Sequence, residues 1–229
     1  MADNSKEKFG FIWDLDGTIA DSVRMYYESY RSVFAKYELG PLETTLEEYR
    51  LNYFGTGIDV FLHAKLGPDI PQDKLDAMVW DYTLFADEYL TSTMDGGVKL
   101  IPGVDRVIKS IFDRGYPLSI ASTSWTPTIV HTLEKLGLLN YFSDIASGKL
   151  LPPKPAPDVY QLSAALINVP PSRCVVFEDS KAGMRGAKNA GMLCVGIATA
   201  LDVTEMKDAD IRLRSWDEFD LDEVLARFA

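Results

Sequence analysis

Residues Phe11-Ile12-Trp13-Asp14-Leu15-Asp16-Gly17-Thr18 decide how the chain is read. An apolar run leads directly into two carboxylates one residue apart, then a glycine and a hydroxyl. This is the pattern of a buried strand ending at a polar rim. Along a strand, side chains two apart share a face, but a break at Gly17 lets Asp16 turn away from Asp14. One carboxylate can then attack while the other moves protons. An acidic turn is the plain alternative, because Asp and Gly are common turn residues, and the rest of the chain has to choose between the two.

The chain has 229 residues, 47% of them hydrophobic and 25% charged, a balance that suits one sizeable domain with a smaller insertion. A net charge of -11 argues against a nucleic-acid partner, which needs a basic face. Cys174 and Cys194 each lie in an apolar run without metal-ligand spacing. They read as reduced core residues and fit a cytoplasmic setting. The charged N-terminus is not followed by a signal-peptide core, and no apolar run reaches membrane-spanning length, so no membrane partner is expected.

Downstream of Thr18, Ile19, Val23, Tyr26, Tyr27, Tyr30, Val33, Phe34 and Tyr37 recur at three- and four-residue spacing, and Gly40-Pro41 closes the segment. The spacing predicts a helix. Arg24 lies off that stripe: a solvated charge is the plain reading, and its closeness in sequence to the aspartates makes it a substrate-contact candidate. Three more helical stretches are expected near 45–53, 57–66 and 71–91. Gly55-Thr56-Gly57 joins two of them. A flexible turn is the plain reading there, and an anion contact at a helix N-terminus keeps Thr56 as a second candidate.

Met94-Asp95-Gly96-Gly97 has the composition of a linker. The expected organisation is therefore a core of residues 1–19 plus 96–229 and a helical cap of residues 20–95. Beyond the linker, helices and strands alternate, with strands expected at 117–121, 143–146, 174–177 and 193–197. Strands separated by helices imply parallel pairing with right-handed crossovers. The expected class is α/β, a Rossmann-like doubly wound parallel sheet with an inserted α-helical cap. Ligands of such sheets bind outside the carboxyl ends of the strands.

That rule gathers separate short motifs into one constellation. The strand at 117–121 ends in Ser122-Thr123-Ser124, whose hydroxyls and amides can hold phosphate oxygens. Pro152-Pro153-Lys154-Pro155-Ala156-Pro157-Asp158 stiffens the backbone around a single lysine, which makes sense if its ammonium must be held in a chosen place. The strand at 174–177 ends in Glu178-Asp179-Ser180. Adjacent acids at the end of an apolar strand repel unless a cation neutralises them. With Asp14 and Asp16 they form the oxygen-rich kind of site that Mg2+ prefers.

Asp14-x-Asp16-Gly-Thr18, Ser122, Lys154-Pro-x-Pro-Asp158 and Glu178-Asp179-Ser-x-x-Gly183, in this order, resemble the four motifs of the haloacid dehalogenase superfamily. The helical insertion after the first motif looks like its phosphoglycolate phosphatase and beta-phosphoglucomutase branch. The resemblance implies a Mg2+-dependent phosphatase of a small phosphorylated metabolite, with Asp14 as nucleophile and Asp16 as acid and base. Ser122, Thr123 and Lys154 would bind phosphate. Asp14, the carbonyl of Asp16, Glu178 and Asp179 would hold the metal.

A beta-phosphoglucomutase-like transferase is the first alternative. It is weakened because Phe54-Gly55-Thr56-Gly57-Ile58-Asp59 lacks the mutase's cap arginine and because tyrosines stand at 26 and 27. A non-catalytic ligand-binding protein is the second, weakened because no motif residue is missing. A monomer or a homodimer is compatible with all three readings.

Overall fold

The computed structural model describes residues 9–55, 57–92 and 97–228. Among them are the strands β1 (Gly10–Trp13), β2 (Ala20–Asp21), β3 (Lys99–Leu100), β4 (Leu118–Ser122), β5 (Asp144–Ser147), β6 (Cys174–Glu178), β7 (Leu193–Ile197) and β8 (Ile211–Leu213). Six of these form one parallel sheet in the order β5-β4-β1-β6-β7-β8. A separate pair joins β2 to β3. None of the described helices is long and apolar enough to cross a membrane.

The chain divides into two compact units. One comprises residues up to Ile19 and from Leu100 onward, and the other is Ala20–Lys99. Of the expected linker, residues 94–96 lie outside the described residues. In the second unit the helices are α1 (Val23–Lys36), α2 (Leu46–Asn52), α3 (Ile58–Leu66) and α4 (Gln72–Thr91). In the first they are α5 (Val104–Asp113), α6 (Thr126–Lys135), α7 (Asp158–Leu166), α8 (Lys181–Asn189) and α9 (Leu221–Ala226).

Strand β1 is buried along its whole length, and its period-two alternation divides two apolar layers. On one face, Trp13 stacks on Phe177 with ring centroids 3.9 Å apart, and Trp216 closes over both. On the other, Ile12 and Val176 join Tyr160 and Ala164 of α7 and Met184 and Ala187 of α8. Both faces of the sheet are therefore covered, which is why its strands read as continuous apolar runs.

The strand order fixes where a ligand belongs. From β1 the chain builds outward through β4 to β5, then returns to the opposite side of β1 and builds outward again through β6, β7 and β8. The direction of winding reverses at β1. The crevice outside the carboxyl end of that strand is the topological switch point.

The second unit has its own core, built from Tyr30, Val33, Phe34, Tyr49, Phe61, Leu62, Leu75 and Met78. Thr45 and Glu48 form a reciprocal capping box that starts α2. Helix α1 starts at Val23, later than the spacing from Ile19 predicts: the Ile19 amide donates to Leu15, and Ala20–Asp21 are drawn into the strand pair. Cys174 and Cys194 are buried free thiols.

Candidate active site

The site is assembled from strand ends, from the proline-rich loop that carries Lys154 and from helix faces. Asp14 comes directly after β1, and its backbone amide still donates to the Phe177 carbonyl at 3.0 Å, so the sheet ladder reaches it. Gly17 then adopts φ 88, a left-handed conformation that suits glycine, and the chain turns. Asp14 is buried and Asp16 half-buried. The Ser124 hydroxyl, beyond β4, donates to Asp16 Oδ2 at 3.0 Å and fixes that carboxylate.

Lys154 is the hub. Its Nζ donates to Asp14 Oδ1 at 2.6 Å, to Glu178 Oε1 at 2.6 Å and to the Ala121 carbonyl at 3.3 Å. The lysine side chain is only 8% exposed, so the ammonium lives in a largely dry pocket bounded by β1, β4 and β6. Glu178 is fully buried and saturated with donors. Tyr160 donates to its Oε1 at 2.7 Å, and the Asp179 and Ser180 amides and the Ser180 hydroxyl donate to its Oε2. Ser180 also caps α8, accepting from the Gly183 amide at 3.0 Å. Asp179 is buried, with the Thr18 and Thr199 hydroxyls donating to its two oxygens at 3.5 and 3.4 Å.

The charges are out of balance. Asp14, Glu178 and Asp179 each present an oxygen, all within 4.8 Å of one another, against the single ammonium of Lys154. Burial pushes the Asp14 carboxyl up to about 8 despite the pull of Lys154, with Glu178 and Asp16 adding to the rise. Burial, with Glu178 and Asp14 alongside, also holds Asp179 well above the usual carboxylate range. Burial would raise Glu178 too, but Lys154 and its hydrogen-bond donors keep it below its ordinary value. Lys154 resists the burial that would discharge it because Asp14 and Glu178 face it. Were all three buried carboxyls ionised, the one ammonium would leave two negative charges unbalanced, and an all-oxygen donor set of that kind fits a hard divalent cation such as Mg2+.

The residues singled out from sequence separate into two groups. Asp14, Asp16, Ser122, Lys154, Glu178 and Asp179 all lie at or beside the carboxyl ends of β1, β4 and β6. Ser122 is buried and accepts from the Ser124 amide at 3.1 Å, whereas Thr123 is exposed. Arg24 is exposed at the start of α1, in the helical unit, and Thr56 lies outside the described residues. Tyr160 and Thr199 belong to the cluster without a motif to mark them, and Ser124, read from sequence as part of a phosphate-holding run, instead bonds Asp16. Thr199 follows β7, so the strand-end rule would have found it; Tyr160 reaches the site from a helix face.

A family model described as haloacid dehalogenase-like hydrolase matches residues 11–197. Validoxylamine A 7'-phosphate phosphatase of Streptomyces hygroscopicus subsp. limoneus is 28% identical over 209 residues, which span 90% of this chain and 93% of that protein. Fructose-1-phosphate phosphatase YqaB of Escherichia coli is 31% identical over 193 residues, 82% of this chain and 95% of its own. Among solved structures, a mutant of CbbY from Rhodobacter sphaeroides in complex with xylulose-(1,5)bisphosphate has a TM-score of 0.79 at 25% identity, covering 92% of this chain and 96% of that one.

Proposed function

Since this chain belongs to the haloacid dehalogenase-like hydrolases, we propose that it is a Mg2+-dependent phosphatase that hydrolyses a small sugar-phosphate-like metabolite through a phosphoryl group carried on Asp14. The observation that carries this reading is the meeting of Asp14, Lys154, Glu178 and Asp179, from two strand ends and one loop, in a single buried cluster. The names of the phosphatase relatives support the substrate class.

In the first half-reaction an Asp14 oxygen attacks phosphorus while the ester P–O bond breaks, and Asp16 gives a proton to the departing alkoxide. Water then attacks the phosphorus of the aspartyl phosphate. Asp16 takes the water proton, the bond to Asp14 breaks, and inorganic phosphate leaves. The Ser124 hydroxyl holds Asp16 in place for both transfers. Lys154 and Ser122 bind phosphoryl oxygens, with Thr123 as a weaker contact. Asp14, Asp179, the Asp16 carbonyl and Glu178, directly or through water, would hold Mg2+, which when bound supplies charge neutralisation for the transferring group. Residues 20–95 would act as the substrate-selecting cap.

The test is a screen of phosphorylated metabolites with Mg2+, reading released phosphate. Turnover of at least one sugar phosphate is expected, with near-complete loss in Asp14→Asn and in EDTA and recovery on adding Mg2+. Undiminished turnover by Asp14→Asn, or full activity in chelator, would remove the corresponding part of the proposal.

A further inference from the structure

Lys154 needs to be held still, and the covalent chain does this only in part. Its ammonium has three acceptors, two of them carboxylates that also belong to the metal-binding set. A lysine is a compact charge on a flexible four-carbon stem. What fixes it from below is a side chain outside all four motifs. Tyr160 on α7 is fully buried. Its hydroxyl donates at 2.7 Å to Glu178 Oε1, the same oxygen that Lys154 bonds. Its ring lies under the ammonium, with Nζ 5.1 Å from the centroid.

We infer that Tyr160 is a positioning residue for Lys154, setting the ammonium through its ring face and, by its hydroxyl, through the shared Glu178 oxygen. The inference rests on the phosphatase reading above, in which Lys154 contacts the phosphoryl group. Both contacts are of kinds that gain strength in a dry site: a cation over an aromatic face and a hydrogen bond to a charged acceptor. The Tyr160 hydroxyl is the donor in this bond, since a carboxylate oxygen can only accept. The ring is itself pinned: a methyl group at Gly186 of α8 would lie 2.9 Å from Tyr160 Cε2, so that helix seats directly against it. Glycine at 186 thus serves close packing and not chain freedom.

The two contacts can be separated by substitution. Tyr160→Phe keeps the ring and loses the hydroxyl; Tyr160→Leu loses both. With p-nitrophenyl phosphate and saturating Mg2+, kcat/KM is expected to fall about tenfold in the first and about 100-fold in the second. The decisive readout is a double-mutant cycle: in a Lys154→Ala background, either substitution should cost less than about twofold more, because the residue acts through the lysine. A merely structural tyrosine would impose its full loss in both backgrounds, and that result overturns the inference, as does wild-type kcat/KM in a folded Tyr160→Leu. Should Tyr160→Leu fail to fold, Tyr160→Phe carries the cycle alone.

Calorimetric affinity for inorganic phosphate in Mg2+ supplies a readout that needs no turnover. Weaker binding by Tyr160→Phe than by wild type is expected, and equal binding counts against the role. If the wild-type protein hydrolyses no ester, the proposed function fails while the phosphate comparison still judges Tyr160.

Discussion

At the scale of single residues, Gly183 belongs to the site as firmly as the acids do. A side-chain carbon there would lie 2.0 Å from the Glu178 carboxyl, an overlap that only displacement of Glu178 could relieve. Gly183→Ala should therefore push Glu178 off Lys154 and, since an ångström of misplacement can cost about 100-fold in rate, lower kcat by that order while the protein stays folded. Steady-state kinetics beside a circular-dichroism melt checks this; unchanged kcat in the Gly183→Ala variant would show that the position of Glu178 is not critical. The glycine is visible in the Glu-Asp-Ser-x-x-Gly motif, but its reason is not, because the carboxyl it accommodates lies on β6. Ser122 and Thr123 make the same point. Both are hydroxyls at one strand end, but successive side chains point opposite ways, and only Ser122 turns into the buried side.

At the scale of elements, the strands and helices that carry the motifs are legible because burial on both faces makes β1, β4, β6 and β7 plain apolar runs. What escaped is short. β2 and β3 are two residues each and β8 is three, too few to show a period, and they are defined by pairing with distant partners. Helix-to-helix links escape for the same reason. Asp81 of α4 accepts from Lys36 Nζ at 2.6 Å and from the Tyr37 hydroxyl at 2.8 Å, tying α4 to α1 and the residue after it, and nothing in the sequence joins these positions.

The Lys36 bond holds the Asp81 carboxyl below its ordinary range. A carboxyl depressed in the folded state contributes stability above its unfolded pKa of about 3.9, and that contribution is lost as the pH falls through the lower folded value. Asp81→Ala is expected to destabilise residues 20–99 by about 1–3 kcal/mol at pH 7, with the difference from wild type shrinking below about pH 4. Urea melts at pH 7 and pH 3 check it; a pH-independent gap would assign the loss to packing instead of charge.

At the scale of the whole molecule, one unit holds the acidic cluster on a sheet whose switch point falls at β1, and the other is a helical body with its own aromatic core. If residues 20–95 choose the substrate, replacing them with the matching segment of a relative should reorder the substrate ranking while leaving p-nitrophenyl phosphate hydrolysis within about tenfold; an unchanged ranking would deny them that role. The expected boundary rests on the linker composition and the run of helices, whereas the substrate is not legible, because no motif marks the side chains that would select it. The account as a whole stands on Asp14 carrying the phosphoryl group. Borohydride reduction of the enzyme quenched during turnover, followed by peptide mass spectrometry, tests that most directly. The expected result is homoserine in place of aspartate at position 14 and nowhere else; a quenched, fully active enzyme with position 14 unmodified and the label on another residue would contradict it.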